Sequence, residues 1–351
     1  MTPRTVHPAD LADQAPLLDA EARVDGPLLG VDLSGPPADV AHLARIAEES
    51  DRILVGVGKP GPGWSPLVRA LALTLVPAGR DTGPELVGVG DPGAALADLH
   101  AAAEANPQAA TVLAGLLRWS GALSVPAALD AESLAYSTLL GGPEFRAWLD
   151  RRGPRPLPPP VDEPVRVARA GRILHLTLNR PERRNAYGRQ LRDALVGGLD
   201  LALLDPDVEE VVIDGEGPAF CAGGDLDEFG TAPDLATAHL VRTRAGAARP
   251  VHALRDRVEV RLHGPCVGAG IEVPAFAGHV VAAADTTVRL PEVSMGLIPG
   301  AGGTVSLPRR IGRWRTLYLA LSGRPCDAPT ALRWGLVDAV AEQCQADAHE
   351  P

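Results

Sequence analysis

Two glutamates that each adjoin a glycine-rich stretch constrain this chain more than anything else in it. Glu272 closes the segment Gly268-Ala269-Gly270-Ile271-Glu272, and Glu292 precedes the run Gly296-Leu297-Ile298-Pro299-Gly300-Ala301-Gly302-Gly303. A carboxylate takes a proton from water, a carboxylic acid returns one, and bare main-chain N–H groups hold the negative oxygen that forms in between. The pattern therefore points to acid/base chemistry on a bound carbonyl. A third glycine-rich segment, Gly217-Pro218-Ala219-Phe220-Cys221-Ala222-Gly223-Gly224-Asp225-Leu226, follows a short apolar strand over 210–215 and offers further main-chain donors.

Taken with Asn179-Arg180-Pro181 and Asn185-Ala186, these segments resemble the crotonase family, the enoyl-CoA hydratase/isomerase superfamily, from about Val165 to Val340. One glycine cluster marks only a turn; three in the family's order, with the asparagine motifs and with the glutamates at the family's spacing, carry the resemblance. It implies an α/β fold with a β-β-α spiral core. It also implies an oxyanion hole made by the main-chain N–H groups of Gly224 and Ala269, catalytic Glu272 and Glu292, and substrate contacts from Ala222, Gly223, Asp225, Leu226, Arg184, Gly268 and Gly270. The substrate implied is an acyl-CoA thioester, with no separate cofactor because coenzyme A is part of that substrate, and the assembly implied is a homo-oligomer based on trimers. Two positions depart from the pattern. Ala269 stands where many relatives have glycine, and Asp227 where matching hydratases often have a lysine for the coenzyme A phosphates; Arg183 and Arg184 are the cations at hand to replace it.

The remaining sequence bounds these expectations. A net charge of −11 and four cysteines without paired spacing argue against nucleic-acid binding and against a metal site. The N-terminus lacks the apolar core of a signal peptide, and no apolar run reaches the roughly 18 residues of a membrane span, so a cytoplasmic protein without membrane contact is expected. Cys221, Cys266, Cys326 and Cys344 read as reduced structural thiols, and His263 and His279 as structural histidines. Asp225 reads as the cap of a helix starting at Leu226.

A proline-rich stretch divides the chain into an N-terminal domain (1–151), a linker (152–164) and a crotonase-like domain (165–351). Downstream, 173–178 alternates as a strand and 190–204 as a helix, with Glu272 near the start of a helix over 271–277 and Glu292 just past a strand over 287–290. Upstream, 28–33, 52–58 and 85–90 read as buried strands, 38–49 as an amphipathic helix, and 94–148 as helices broken near Pro107, Gly121 and Gly142. That smaller α/β and helical domain is similar to a worn copy of the same fold without a glutamate pair or glycine loop of its own. The sequence ends at Pro351, short of the helices with which relatives continue past Gly335-Leu336-Val337-Asp338. The stretch 106–149 resembles that tail and is expected to pack where it would sit.

If Glu272 and Glu292 face one water, their charges repel, and one keeps its proton while the other ionises. The sequence leaves open which does which. Hydration of a 2-enoyl-CoA thioester, or the reverse dehydration, is the expected reaction. Double-bond isomerisation, oxygen chemistry on an aryl-acetyl thioester, and a non-catalytic assembly subunit are the alternatives.

Overall fold

A computed structural model describes residues 4–36 and 39–341; Ala38, where the sequence reading begins its first helix, and Cys344 lie outside them. The N-terminal half is built on five parallel strands in chain order, β1 (Thr5–Val6), β2 (Leu28–Asp32), β3 (Ile53–Val57), β4 (Leu73–Pro77) and β5 (Leu86–Val89). Side chains of a strand alternate between faces. Leu29, Val31 and Leu54 accordingly pack under helices α1 (Val40–Glu49) and α2 (Ser65–Ala70). Leu28, Ile53 and Val55 point the other way, toward α3 (Pro92–Ala105). Three more helices follow, α4 (Pro107–Trp119), α5 (Val125–Leu140) and α6 (Pro143–Arg152). Each of α3 to α6 has a proline in its first turn, where the missing N–H costs nothing.

The C-terminal half begins with an antiparallel hairpin, β6 (Val165–Ala170) and β7 (Ile173–Leu178), followed by α7 (Arg189–Leu204) and β8 (Glu210–Gly215). Then come α8 (Leu235–Arg244), α9 (Ala248–Ala253), β9 (Val258–Leu262), β10 (Pro265–Val267), α10 (Ala269–Glu272), β11 (His279–Ala283) and β12 (Thr287–Arg289). α11 (Gly303–Ser322), β13 (Cys326–Asp327), α12 (Ala328–Trp334) and β14 (Ala339–Ala341) complete the described chain. A six-stranded sheet has the order β14-β11-β9-β8-β7-β6 and a three-stranded one the order β10-β12-β13. Successive strands β9 and β10, and again β11 and β12, thus belong to different sheets, so the chain winds as a spiral with one strand per sheet in each turn.

The two halves share one core. A single contiguous set of buried apolar side chains runs from Leu28 through Leu113, Leu117 and Phe145 to Val305, Ile311 and Val337. α3, α4 and α5 pack on α11, and α5 also packs on α8. Among the described residues no helix is long and apolar enough to cross a membrane.

Candidate active site

Parallel pairing brings the three glycine segments to one place. β10 pairs with β12 in register, Val267 opposite Arg289, so the segments that follow them leave from the same end. The 217–226 segment follows β8 and is laid beside β10 by a parallel bridge between Cys221 and Cys266, with the Val267 N–H donating to the Cys221 carbonyl at 3.0 Å. Gly224 and Ala269 stand three residues beyond the two bridged cysteines. Both border a cavity of about 480 Å³, a size suited to an organic ligand. Among the described residues neither N–H has an acceptor in the chain. The cavity lies outside the carboxyl ends of parallel strands, the usual place for a ligand in such sheets.

Glu272 and Glu292 line the same cavity and are 2% and 7% exposed. Glu272 is the last residue of α10 instead of lying near the start of a longer helix, because Pro274 has no N–H with which to continue it and the chain tightens into a turn over Pro274–Phe276. Glu292 opens a short turn over Glu292–Met295, past β12. Gly268 makes room for both. Its φ of 49° and ψ of −120° suit glycine alone, and a Cβ there would fall 2.5 Å from Glu292 Oε1 and 3.5 Å from Glu272 Oε1. Burial, and then the charges of Glu292 and Glu132, raise Glu272 well above the usual carboxylate range, against two main-chain donors, Ala301 N–H at 2.7 Å and Gly303 N–H at 2.9 Å, both on Oε2. Burial pushes Glu292 up to about 8, and its Oε2 has no hydrogen-bond partner among the described residues.

A third carboxyl arrives from the other half of the molecule. Glu132 of α5, 2% exposed, lines the cavity, a residue the sequence reading did not single out. Its Oε1 accepts from Gly302 N–H at 2.7 Å and its Oε2 from Thr304 N–H at 2.8 Å and the Thr304 hydroxyl at 2.7 Å. Burial raises it to about 7 in spite of these donors. Without it, two buried N–H groups and a hydroxyl would lose their acceptors, at about 1–3 kcal/mol each. One turn along α5, the Tyr136 ring lies against Gly300 and under the Arg242 guanidinium of α8, with Cζ 4.5 Å from the ring centroid. Arg242 donates to the Ser133 hydroxyl and carbonyl at 3.1 and 3.2 Å. Tyr136 and Arg242 also line the cavity and carry no local motif that singles them out. Glu132 and Tyr136 fall in the stretch that resembles the relatives' tail, and that likeness is the one signal the sequence held.

The other expected residues are placed as follows. Asp225 lines the cavity, accepts from Asp227 N–H as the cap of a turn over Leu226–Glu228, and is paired with Arg183 at 2.7 Å. Arg183 also meets Asp227 at 2.8 Å, and Arg152 at the end of α6 meets Asp227 at 2.6 Å. Arg183 is thereby occupied, whereas Arg184 is exposed, with φ of 51°. Gly223, Leu226, Gly268 and Gly270 adjoin cavity-lining residues in the chain without lining the cavity, and Ala222 and Arg184 stand two and three residues from Gly224 and Tyr187, which do line it. Cys221 is buried, and burial pushes its thiol up to about 12. His263 contacts the Gly217 carbonyl at 3.0 Å, and His279 contacts Glu259 at 3.0 Å.

Comparison with known proteins gives the family of the C-terminal half. The family model for enoyl-CoA hydratase/isomerase matches residues 168–349. The 2,3-dehydroadipyl-CoA hydratase of Escherichia coli is 38% identical over 174 residues, covering 50% of this chain and 68% of that protein. The 1,2-epoxyphenylacetyl-CoA isomerase of the same organism is 34% identical over 170 residues, covering 47% and 64%. The crystal structure of enoyl-CoA hydratase from Thermoplasma volcanium is 32% identical, covers 51% of this chain and 72% of that one, and superposes with a TM-score of 0.48. On the family match and the relatives at this level of identity, the chain belongs to the enoyl-CoA hydratase/isomerase family, the crotonases.

Proposed function

We propose that this protein adds water across the double bond of a 2-enoyl-CoA thioester or catalyses the reverse dehydration. The observation that carries the reading is the meeting, on one cavity, of two buried glutamates with two main-chain N–H groups that have no acceptor among the described residues. The thioester oxygen would sit between Gly224 and Ala269. One such donor contributes about 3 kcal/mol to an enolate-like intermediate in a water-poor site. Water then attacks the carbon distal to the thioester, giving up a proton to the carboxylate, and the carboxylic acid protonates the carbon next to the thioester.

A pair this closely coupled titrates as a unit, so the working state has one charge and one proton between the two groups. Within that state, burial and the neighbouring charges push Glu272 up, but with Glu292 protonated the charge of that neighbour is gone and the two N–H donors on Oε2 favour the charge on Glu272; Glu292, whose Oε2 has no donor among the described residues, keeps the proton. This makes Glu272 the base toward water and Glu292 the acid toward carbon. Isomerisation of a 3-enoyl thioester stays the second reading, since one carboxylate suffices to shuttle a proton and a relative from Mycosarcoma maydis is an enoyl-CoA isomerase/hydratase.

The test follows the conjugated enoyl absorbance of crotonyl-CoA and of longer and aromatic enoyl thioesters. Hydration makes it fall, whereas isomerisation makes it appear from a 3-enoyl substrate. Glu272→Gln and Glu292→Gln should each lower kcat by roughly 10²–10⁴-fold, the usual worth of a placed acid or base. Turnover that survives both substitutions would refute the assignment.

A further inference from the structure

We infer that Glu132 is a positioning residue for proton transfer by Glu272, acting through the main chain of residues 301–304. The inference rests on the proposed reaction for its kinetic consequence but not for its geometry. The first N–H groups of a helix have no acceptor within it. At the start of α11 four consecutive ones are shared out in alternation: Ala301 and Gly303 donate to Glu272 Oε2, and Gly302 and Thr304 donate to the two oxygens of Glu132. The segment is thus gripped from two sides by carboxyl groups from the two halves of the molecule. Thr304 is fully buried and does not line the cavity, so its N–H and hydroxyl depend on Glu132, whereas Gly302 borders the cavity.

Loss of that grip turns the 302 and 304 N–H groups toward other acceptors and carries Ala301 and Gly303 away from Glu272. The base then loses the donors that favour its ionised form. The groups facing Glu132 are Tyr136 on its own helix, Arg242 on α8, Glu272 on α10, Glu292 past β12 and the Thr304 hydroxyl on α11. Any change of charge at Glu132 would itself move its neighbours, so the informative substitution keeps the charge and shortens the reach.

That substitution is Glu132→Asp. It should lower kcat by roughly 10- to 100-fold with KM nearly unchanged. It should also move the ionisation of Glu272 upward by about one pH unit. The ionisation is read in the substrate-free protein by infrared titration of the protonated carboxyl band that Glu272→Gln abolishes. This second readout needs no turnover, so a wild-type protein inactive on every enoyl thioester would sink the proposed reaction while leaving the Glu132 inference to be decided by the band. A folded Glu132→Asp protein with unchanged kcat and an unmoved band overturns the inference. Should Glu132→Asp fail to fold, Thr304→Val removes one donor to Glu132 Oε2 in an isosteric side chain; the weaker charge on Glu132 alone would move Glu272 downward, so an upward shift supports the inference and a downward shift or none overturns it.

Discussion

Glu292 sits at about 8 and Glu132 at about 7 against an ordinary value of 4.5, so the folded protein holds protons that the unfolded chain releases. Groups raised in this way stabilise the fold below the unfolded value and lose that contribution as pH rises through the folded one. Glu292→Gln removes one such burden. Compared with wild type, its thermal midpoint should fall less steeply between about pH 5 and pH 8, and scanning calorimetry at a series of pH values checks this. In the proposed reaction the wild-type rate should decline above about pH 8, where Glu292 loses the proton it delivers. At this scale the sequence was readable wherever chemistry and its supports lie close together in the chain. Gly224, Ala269, Glu272 and Glu292 come with their own glycine segments. Glu132 meets its donors 170 residues away, and only folding shows the pair.

Among elements, the sequence reading left out β4. Its residues run on from α2 with only Thr74 breaking the apolar series after Arg69, and a strand buried on both faces is hard to separate from a helix. The helix breaks were clearer, since proline and glycine mark them: α4 starts at Pro107, α5 follows Gly121, and α6 follows Gly142. α6 then does what its sequence did not announce. Phe145 lies 5.8 Å from Trp148 and 6.4 Å from Phe229, ring centre to ring centre, and Phe229 lines the cavity just past the Gly224 segment. The N-terminal half thereby buttresses the donor loop. Phe145→Ala should cost about 3–5 kcal/mol of stability and also weaken binding of a thioester, measured by urea unfolding and by calorimetric titration with acetyl-CoA. A loss of stability without loss of binding would confine Phe145 to packing.

For the whole molecule, the linker over 152–164 divides the sequence but not the core. The α/β character and spiral winding of the C-terminal half were legible because strand, helix and glycine turn recur there in order. The way the N-terminal half docks was not legible, since no periodicity records which face of α11 a helix from elsewhere will cover. α3, α4 and α5 lie on α11, and α5 hands Glu132 to the cavity. The third acid therefore reaches the pocket along a tether rather than by encounter with another molecule. Successive dilution into the nanomolar range should leave turnover per polypeptide constant, whatever larger assembly comes apart on the way.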